Sequence, residues 1–245
     1  MYGAGLTFYQ MNLRGAVLAC GNFIIFLDSV VIPETGWLEA LIISIFTDGV
    51  QLVFGNTYIE PTGLLGKAFA LGWFFPLRST SGGLEVGARG YSNNIAFSRE
   101  LFLSYPFEPI PGTTRSGMSG LLRTLEAAGI PVHKCHDAQV SHPAPNGLVH
   151  MIRRAMAHGR DIYLKSSHES RATGNHRRLN NALQNEWDRY TAGVSRTVRQ
   201  YDKVELSPIM IPVILAGITL YYLSFATASL LTHVAPKPMS RWFQL

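Results

Sequence analysis

At 245 residues the chain has room for one ordinary globular domain and an anchor, and is too short for two full domains plus a membrane region. With 47% hydrophobic residues, 15% charged residues and a mean hydropathy of +0.12, part of its apolar surface is expected to face lipid. The net charge of +5 raises nucleic acid as a partner, but the basic residues concentrate between Arg153 and Lys203, just upstream of the longest apolar run, where anionic headgroups account for them better; nucleic acid is set aside.

Residues 6–19 read as a helix closed by Cys20-Gly21-Asn22. The run NFIIFLDS that follows is short, continuous and apolar, as expected of a buried parallel strand that delivers Asp28 to its C-terminal edge, where ligands bind in open α/β sheets. A helix is predicted over 37–45 and a strand over 50–58, so the α/β alternation continues. Residues 63–75 read as an apolar, glycine-punctuated helix or surface segment, 79–90 as a glycine-rich loop and 91–97 as a strand. A helix over 121–128 stops at Gly129, and IPVHKCHDAQVSH then alternates like a strand hairpin ending at His142 and Pro143.

Beyond this point the pattern becomes helical. Leu148, Ile152, Ala155, Met156, Ile162 and Tyr163 recur at helical spacing against Arg153, Arg154, Arg160 and Lys165, which makes a basic amphipathic helix. Docking at a membrane interface and packing on the sheet with a solvated charged face are equal readings of it. Residues 166–181 read as a polar linker and 185–201 as a helix leading into the apolar run. Residues 206–234 hold no Asp, Glu, Lys or Arg, long enough for one transmembrane helix, with Pro208 and Pro212 at its start. Arg189, Arg196, Arg199 and Lys203 precede it and Lys237 and Arg241 follow, which favours a cytoplasmic N-terminal part. No signal peptide is read at the N-terminus. Cys20 and Cys135 have no metal-type spacing and are expected to be free thiols.

Four segments in order, IIFLDSVVIPETGWLEAL, GLLGKAFALGWFFP, YSNNIAFSRE and AAGIPV continuing to VSHPAPNG, resemble bacterial family-2 glycosyltransferases of the GT-A fold over about residues 6–165. The resemblance implies an α/β, Rossmann-like mixed-sheet domain, in part, over 1–147. A basic amphipathic helix and juxtamembrane helical linker would occupy 148–205, a transmembrane helix 206–235 and a short tail 236–245. Such domains open with a βαβ segment that holds the nucleotide, and this chain is expected to begin after it.

In that family a D-x-D motif at a strand end holds the divalent ion, Mn²⁺ or Mg²⁺, that bridges the donor diphosphate. Asp28 matches its first acid, Ser29 offers a neutral hydroxyl, and Val30 stands in place of the second acid, which removes one carboxylate from the metal set. His142 resembles the histidine that closes the metal site in some members. Asn93 and Asn94 match the family's paired-amide strand, and Arg115 and Trp73 are candidates for acceptor phosphate and for stacking on sugar or lipid. The acidic pair that supplies the base is missing, and Glu108 is the nearest acid. Each has a plainer reading: a turn cap for Asp28, turn formation for the asparagines, a structural His142, packing for Trp73 and a solvated surface for Glu108.

The implied activity is inverting transfer of a sugar from a nucleotide-sugar donor to a lipid-linked or polysaccharide acceptor at the cytoplasmic membrane. The alternative is a non-catalytic, membrane-anchored scaffold or remnant that has lost donor binding.

Overall fold

A computed structural model describes residues 8–46, 48–72, 75–87, 90–108, 110, 112–113, 117–173, 177–236 and 238–239, with only the backbone for 8, 169, 171–173 and 177–182. The chain divides into two compact units. The first comprises residues 1–59, 76–109 and 114–143, the second 60–75, 110–113 and 144–245.

The first unit is built on a mixed sheet. Its strands are β1 (Phe23–Leu27), β2 (Ile32–Pro33), β3 (Leu52–Ile59), β4 (Leu84–Val86), β5 (Asn94–Ser98) and β6 (His133–His142), in the order β1-β5-β3-β6-β2, with β4 also on β6. β5 is antiparallel to both β1 and β3, and β3 is parallel to β6, so β1, β3 and β6 all point the same way. β3 (LVFGNTYI) is buried along its whole length, as a strand covered on both faces must be, whereas β6 (HKCHDAQVSH) is mostly polar and alternates between buried and partly exposed residues. On one face Ile24, Leu52, Phe54, Ile95 and Phe97 pack beneath α1 (Phe8–Leu18), α4 (Arg99–Ser104) and α5 (Gly117–Ala127). On the other, Val53, Ala96, Cys135 and Ala138 pack against Leu41 and Ile45 of α2 (Trp37–Phe46), with Phe23 and Ile25 beside them. The first face is filled by aromatic rings, Phe102 and Phe107 at 5.1 Å and Phe97 and Phe107 at 6.1 Å; the second is lined by small side chains, so α2 lies close to the sheet.

Four sequence readings change here. The strand expected to be buried and parallel, β1, is outermost in the sheet order and pairs antiparallel with β5, with one of its five residues fully buried. The 79–90 stretch holds strand β4, which pairs with β6. The hairpin expected before His142 is one strand with a shift in register: Gly55 pairs with Cys135 and Asn56 with Gln139, which takes His136, Asp137 and Ala138 out of the pairing with β3. The polar residues of a bulge give the same alternation as a hairpin. Helix α4 was not expected; Ser98 caps it, its hydroxyl accepting from the Leu101 amide at 3.2 Å.

The second unit is helical. It contains α3 (Gly63–Gly72), α6 (Gly147–Thr173), α7 (Arg177–Gln200) and α8 (Ile211–Val234), with short 3-10 turns at Asp202–Val204 and Pro208–Met210. Residues 166–173 continue α6 and 177–181 open α7, so most of the stretch read as a linker is helix; polar residues do not by themselves end one. Glycines set the helix contacts: Gly159 of α6 abuts the backbone of Phe225 in α8, Gly72 of α3 meets Ile218, and Gly193 of α7 meets the Gly72 carbonyl. The Ser229 hydroxyl donates to the Gly159 carbonyl at 2.8 Å. Arg160 and Asp161 form a buried pair at 3.3 Å, and Arg160 also donates to the Gly112 carbonyl. Glu186 is buried beside Arg189; desolvation raises its carboxyl, against the opposing charges of Arg189 and Lys165. Among the described residues, Pro208–Val234 is the one helical segment long and apolar enough to cross a membrane. The observed class is therefore a mixed α/β sheet unit together with a helical unit that ends in a long apolar helix.

Candidate functional site at the sheet edge

Because β1, β3 and β6 are mutually parallel, the residues that end them share one edge of the sheet, and β5 begins at that edge. Leu27 pairs with Asn94, and the Asp28 amide donates to the Asn93 carbonyl at 3.1 Å, which fixes Asp28 beside the start of β5. The Val31 amide returns to the Asp28 carbonyl at 3.2 Å, closing a turn that leads into β2, and β2 pairs with Val140 and Ser141 of β6. The turn thus links the end of β1 to the end of β6. Asp28 is half-buried, Ser29 and Val30 are exposed, and the Asp28 carboxylate makes no hydrogen bond or ion pair with another described residue.

At the end of β6, His142 is buried and its Nδ1 lies 2.7 Å from the Pro143 carbonyl. A neutral ring held this way carries its proton on Nδ1 and its lone pair on Nε2. Topology therefore brings Asp28, Asn93, Asn94 and His142 to one edge. Among the described residues no three His, Cys, Asp or Glu side chains form a group that could hold a metal. Asp28, Ser29 and His142 offer a carboxylate, a hydroxyl and an imidazole, a sparse set that suits only an ion drawing most of its ligands from phosphate and water.

The two asparagines differ. Asn94 is wholly buried and its amide is occupied at both ends: Oδ1 accepts from Trp37 Nε1 at 2.9 Å, and Nδ2 donates to the carbonyls of Ala138 at 2.9 Å and Asn56 at 3.4 Å. It serves as an internal clamp, supplying a donor to the bulge carbonyl that the register shift takes out of the ladder. Gly55 leaves the space for this amide, since a Cβ there would overlap it. Asn93 Oδ1 accepts from the Thr57 hydroxyl at 3.0 Å. Glu108 is exposed and follows Phe107, whose ring packs on Phe26 of β1 at 5.6 Å. Trp73 and Arg115 lie outside the described residues.

Sequence reasoning missed a second polar group. Glu34, just past β2, accepts from the Tyr58 hydroxyl at 2.7 Å and from both Nε and Nη2 of Arg78 at 2.7 Å, while its amide donates to the Gln139 carbonyl at 3.0 Å. A shallow open groove beside it is lined by Glu34, Gly36, Trp37, Leu38, Glu39 and Ile42. The signal in the sequence was only an acid after a proline, and its partners come from two distant segments. The Arg78 fork holds the Glu34 carboxyl below its usual value of 4.5, with burial opposing and Tyr58 assisting. A carboxyl lowered in the folded state gives stability that is present above about pH 4.5 and is lost as pH falls through the folded value. Urea midpoints at neutral and acidic pH check this: Arg78→Met is expected to lower the neutral midpoint by a small amount, because the guanidinium is exposed, and to shrink the acid-induced loss by the same amount. An unchanged acid loss would assign it to other carboxyls.

No family model and no curated protein matches the chain. Among solved structures it is similar to Staphylococcus aureus TarS 1-349 in complex with UDP-GlcNAc, at 11% identity and a TM-score of 0.41, over 96% of this chain and 73% of that one. The functional reading rests on this chain's own residues.

Proposed function

We propose that this chain is a glycosyltransferase-like protein that takes a nucleotide-sugar donor at the Asp28 edge and acts on a lipid-linked or polysaccharide acceptor at a membrane. The observation that carries the reading is the half-buried carboxylate of Asp28, without a protein partner among the described residues, at the edge shared by the ends of three parallel strands. The ordered motif series around it supports the same assignment. In the proposed reaction the acceptor hydroxyl oxygen bonds to the anomeric carbon as the carbon–oxygen bond to the diphosphate breaks. The nucleoside diphosphate leaves with the electron pair, the configuration inverts, and a carboxylate takes the hydroxyl proton. Glu108 is the candidate base; Asp28 with Ser29, and His142 on β6, would hold a Mn²⁺ or Mg²⁺ ion, which would offset negative charge on the leaving diphosphate. Asn93, Arg115 and Trp73 remain candidates for contacts with donor or acceptor.

Membrane association is assigned to α8, with the helical unit at an anionic surface, and the sequence reading is a single pass at the cytoplasmic membrane with the N-terminal part in the cytoplasm. Thermal melts with Mn²⁺ and UDP-, GDP- or TDP-sugars test the donor site. A saturating donor at about 100 times its Kd adds about 2.7 kcal/mol, equivalent to roughly 5–10 °C for a chain of this size. Asp28→Asn is expected to abolish that shift while leaving the melt without ligand close to wild type. If no donor shifts the melt, the second reading takes its place: a non-catalytic membrane scaffold, which Val30 in the second acid position and the missing acidic pair favour.

A further inference from the structure

Helix α8 is apolar all round, yet the protein covers only one side of it. Ile214, Ile218, Tyr221, Phe225, Ala228 and Thr232 are buried against neighbouring helices, whereas Ile209, Val213, Leu220, Leu223, Leu230 and Val234 form an exposed stripe, with Leu223 60% and Val234 73% exposed. The stripe runs the length of the helix, about 36 Å at 1.5 Å per residue.

What packs on the covered side decides how such a stripe can meet lipid. α7 packs on α8 at Tyr190: its hydroxyl lies 3.3 Å from that of Thr219, and its ring 5.4 Å from that of Tyr222. These contacts set the residues around Tyr190 beside the midpoint of α8. Asp188 and Arg189, both exposed, are among them. α6 covers the second half, with His158 Nδ1 3.2 Å from the Tyr221 hydroxyl and the Tyr163 hydroxyl 2.8 Å from His233 Nδ1, and between these residues it carries the Arg160–Asp161 pair. A helix crossing the bilayer would take its midpoint, and with it the exposed charges of Asp188 and Arg189, to the centre of the hydrocarbon, where charged side chains are strongly disfavoured.

Resting on the membrane association inferred above, we propose that α8 lies in the plane of an anionic bilayer. The Ile209-to-Val234 stripe is sunk into the acyl boundary and α6 and α7 stay on the aqueous side. In this orientation every exposed apolar residue of the stripe is buried in lipid and no charge is carried through it. The occupant is an anionic surface because residues 144–205 hold eleven Lys and Arg against six Asp and Glu, the whole of the net charge of +5.

The test uses the full chain in a Cys20→Ser, Cys135→Ala background, synthesised with sealed phosphatidylcholine vesicles containing roughly one-third phosphatidylglycerol. Single cysteines are placed at the two ends of α8, Ser207→Cys and Ala235→Cys. After flotation, a membrane-impermeant maleimide is expected to label both positions equally before and after detergent. Protection of one position until detergent is added means that the helix crosses, and overturns the proposal while leaving membrane association intact. Failure to float removes the membrane reading itself, and the proposal with it. Leu223→Glu is expected to weaken flotation by about tenfold or more with the helical circular-dichroism signal unchanged; undiminished flotation of that variant also overturns the proposal.

Discussion

Asn94→Ala is expected to cost about 3 kcal/mol of stability, because it strands buried polar groups instead of merely deleting a bond. The substitution leaves the half-buried Trp37 without an acceptor for Nε1 and the fully buried Ala138 carbonyl, on the sheet face packed by α2, without its side-chain donor. Unlike a surface asparagine, Asn94 has no access to water that would restore these partners. The loss is read as a shift of the urea midpoint at constant slope. Trp37→Phe removes the opposite end of one of these bonds. The double variant is therefore expected to lose less than the sum of the two single losses. A cost for Asn94→Ala below about 1 kcal/mol, the value of an ordinary surface change, would show that the amide is not the clamp of the bulge.

The second large effect concerns the helical unit. Gly159→Ala is expected to destabilise by about 1–3 kcal/mol even though alanine is the better helix former, because its Cβ meets the backbone of Phe225, which has no rotamer to swing away. Gly217, inside α8, has nothing within 4 Å of the same added carbon. Gly217→Ala therefore gains the propensity difference alone, about 0.5–1 kcal/mol. The opposite signs of one chemical change at two helical glycines, read from thermal melts under identical conditions, separate helix propensity from helix–helix approach. If Gly159→Ala were neutral or stabilising, α6 and α8 would have to be further apart than described.

The two charged groups around Glu34 and Glu186 extend this contrast to pH. Arg78 lowers the first carboxyl and desolvation raises the second, so on acidification the first loses stabilising charge while the second is relieved of an unfavourable one. Neither was visible as a pair in the sequence. Glu34 and Arg78 are separated by 44 positions and meet because β2 and the segment after α3 converge beside β6.

The continuous apolar run of β1, the β-branched and aromatic content of β3, the amphipathic pattern after position 147 and the uncharged stretch at the C-terminal end each determined an element by themselves. A strand covered on both faces must be apolar throughout, and a helix in contact with lipid cannot carry charge. The sequence by itself also placed Asp28 at a strand end and His142 at another. Only the tertiary structure decided the rest. Whether those two ends share an edge depends on the parallel pairing of β3 with β6, a contact between residues some 80 positions apart. Whether Asn94 faces a ligand or the core depends on a register shift that no local pattern reveals, since a bulge and a hairpin alternate alike. The surroundings of α8 follow the same rule: its composition shows a helix long and apolar enough to span a bilayer, but only the fold shows which of its faces α6 and α7 cover.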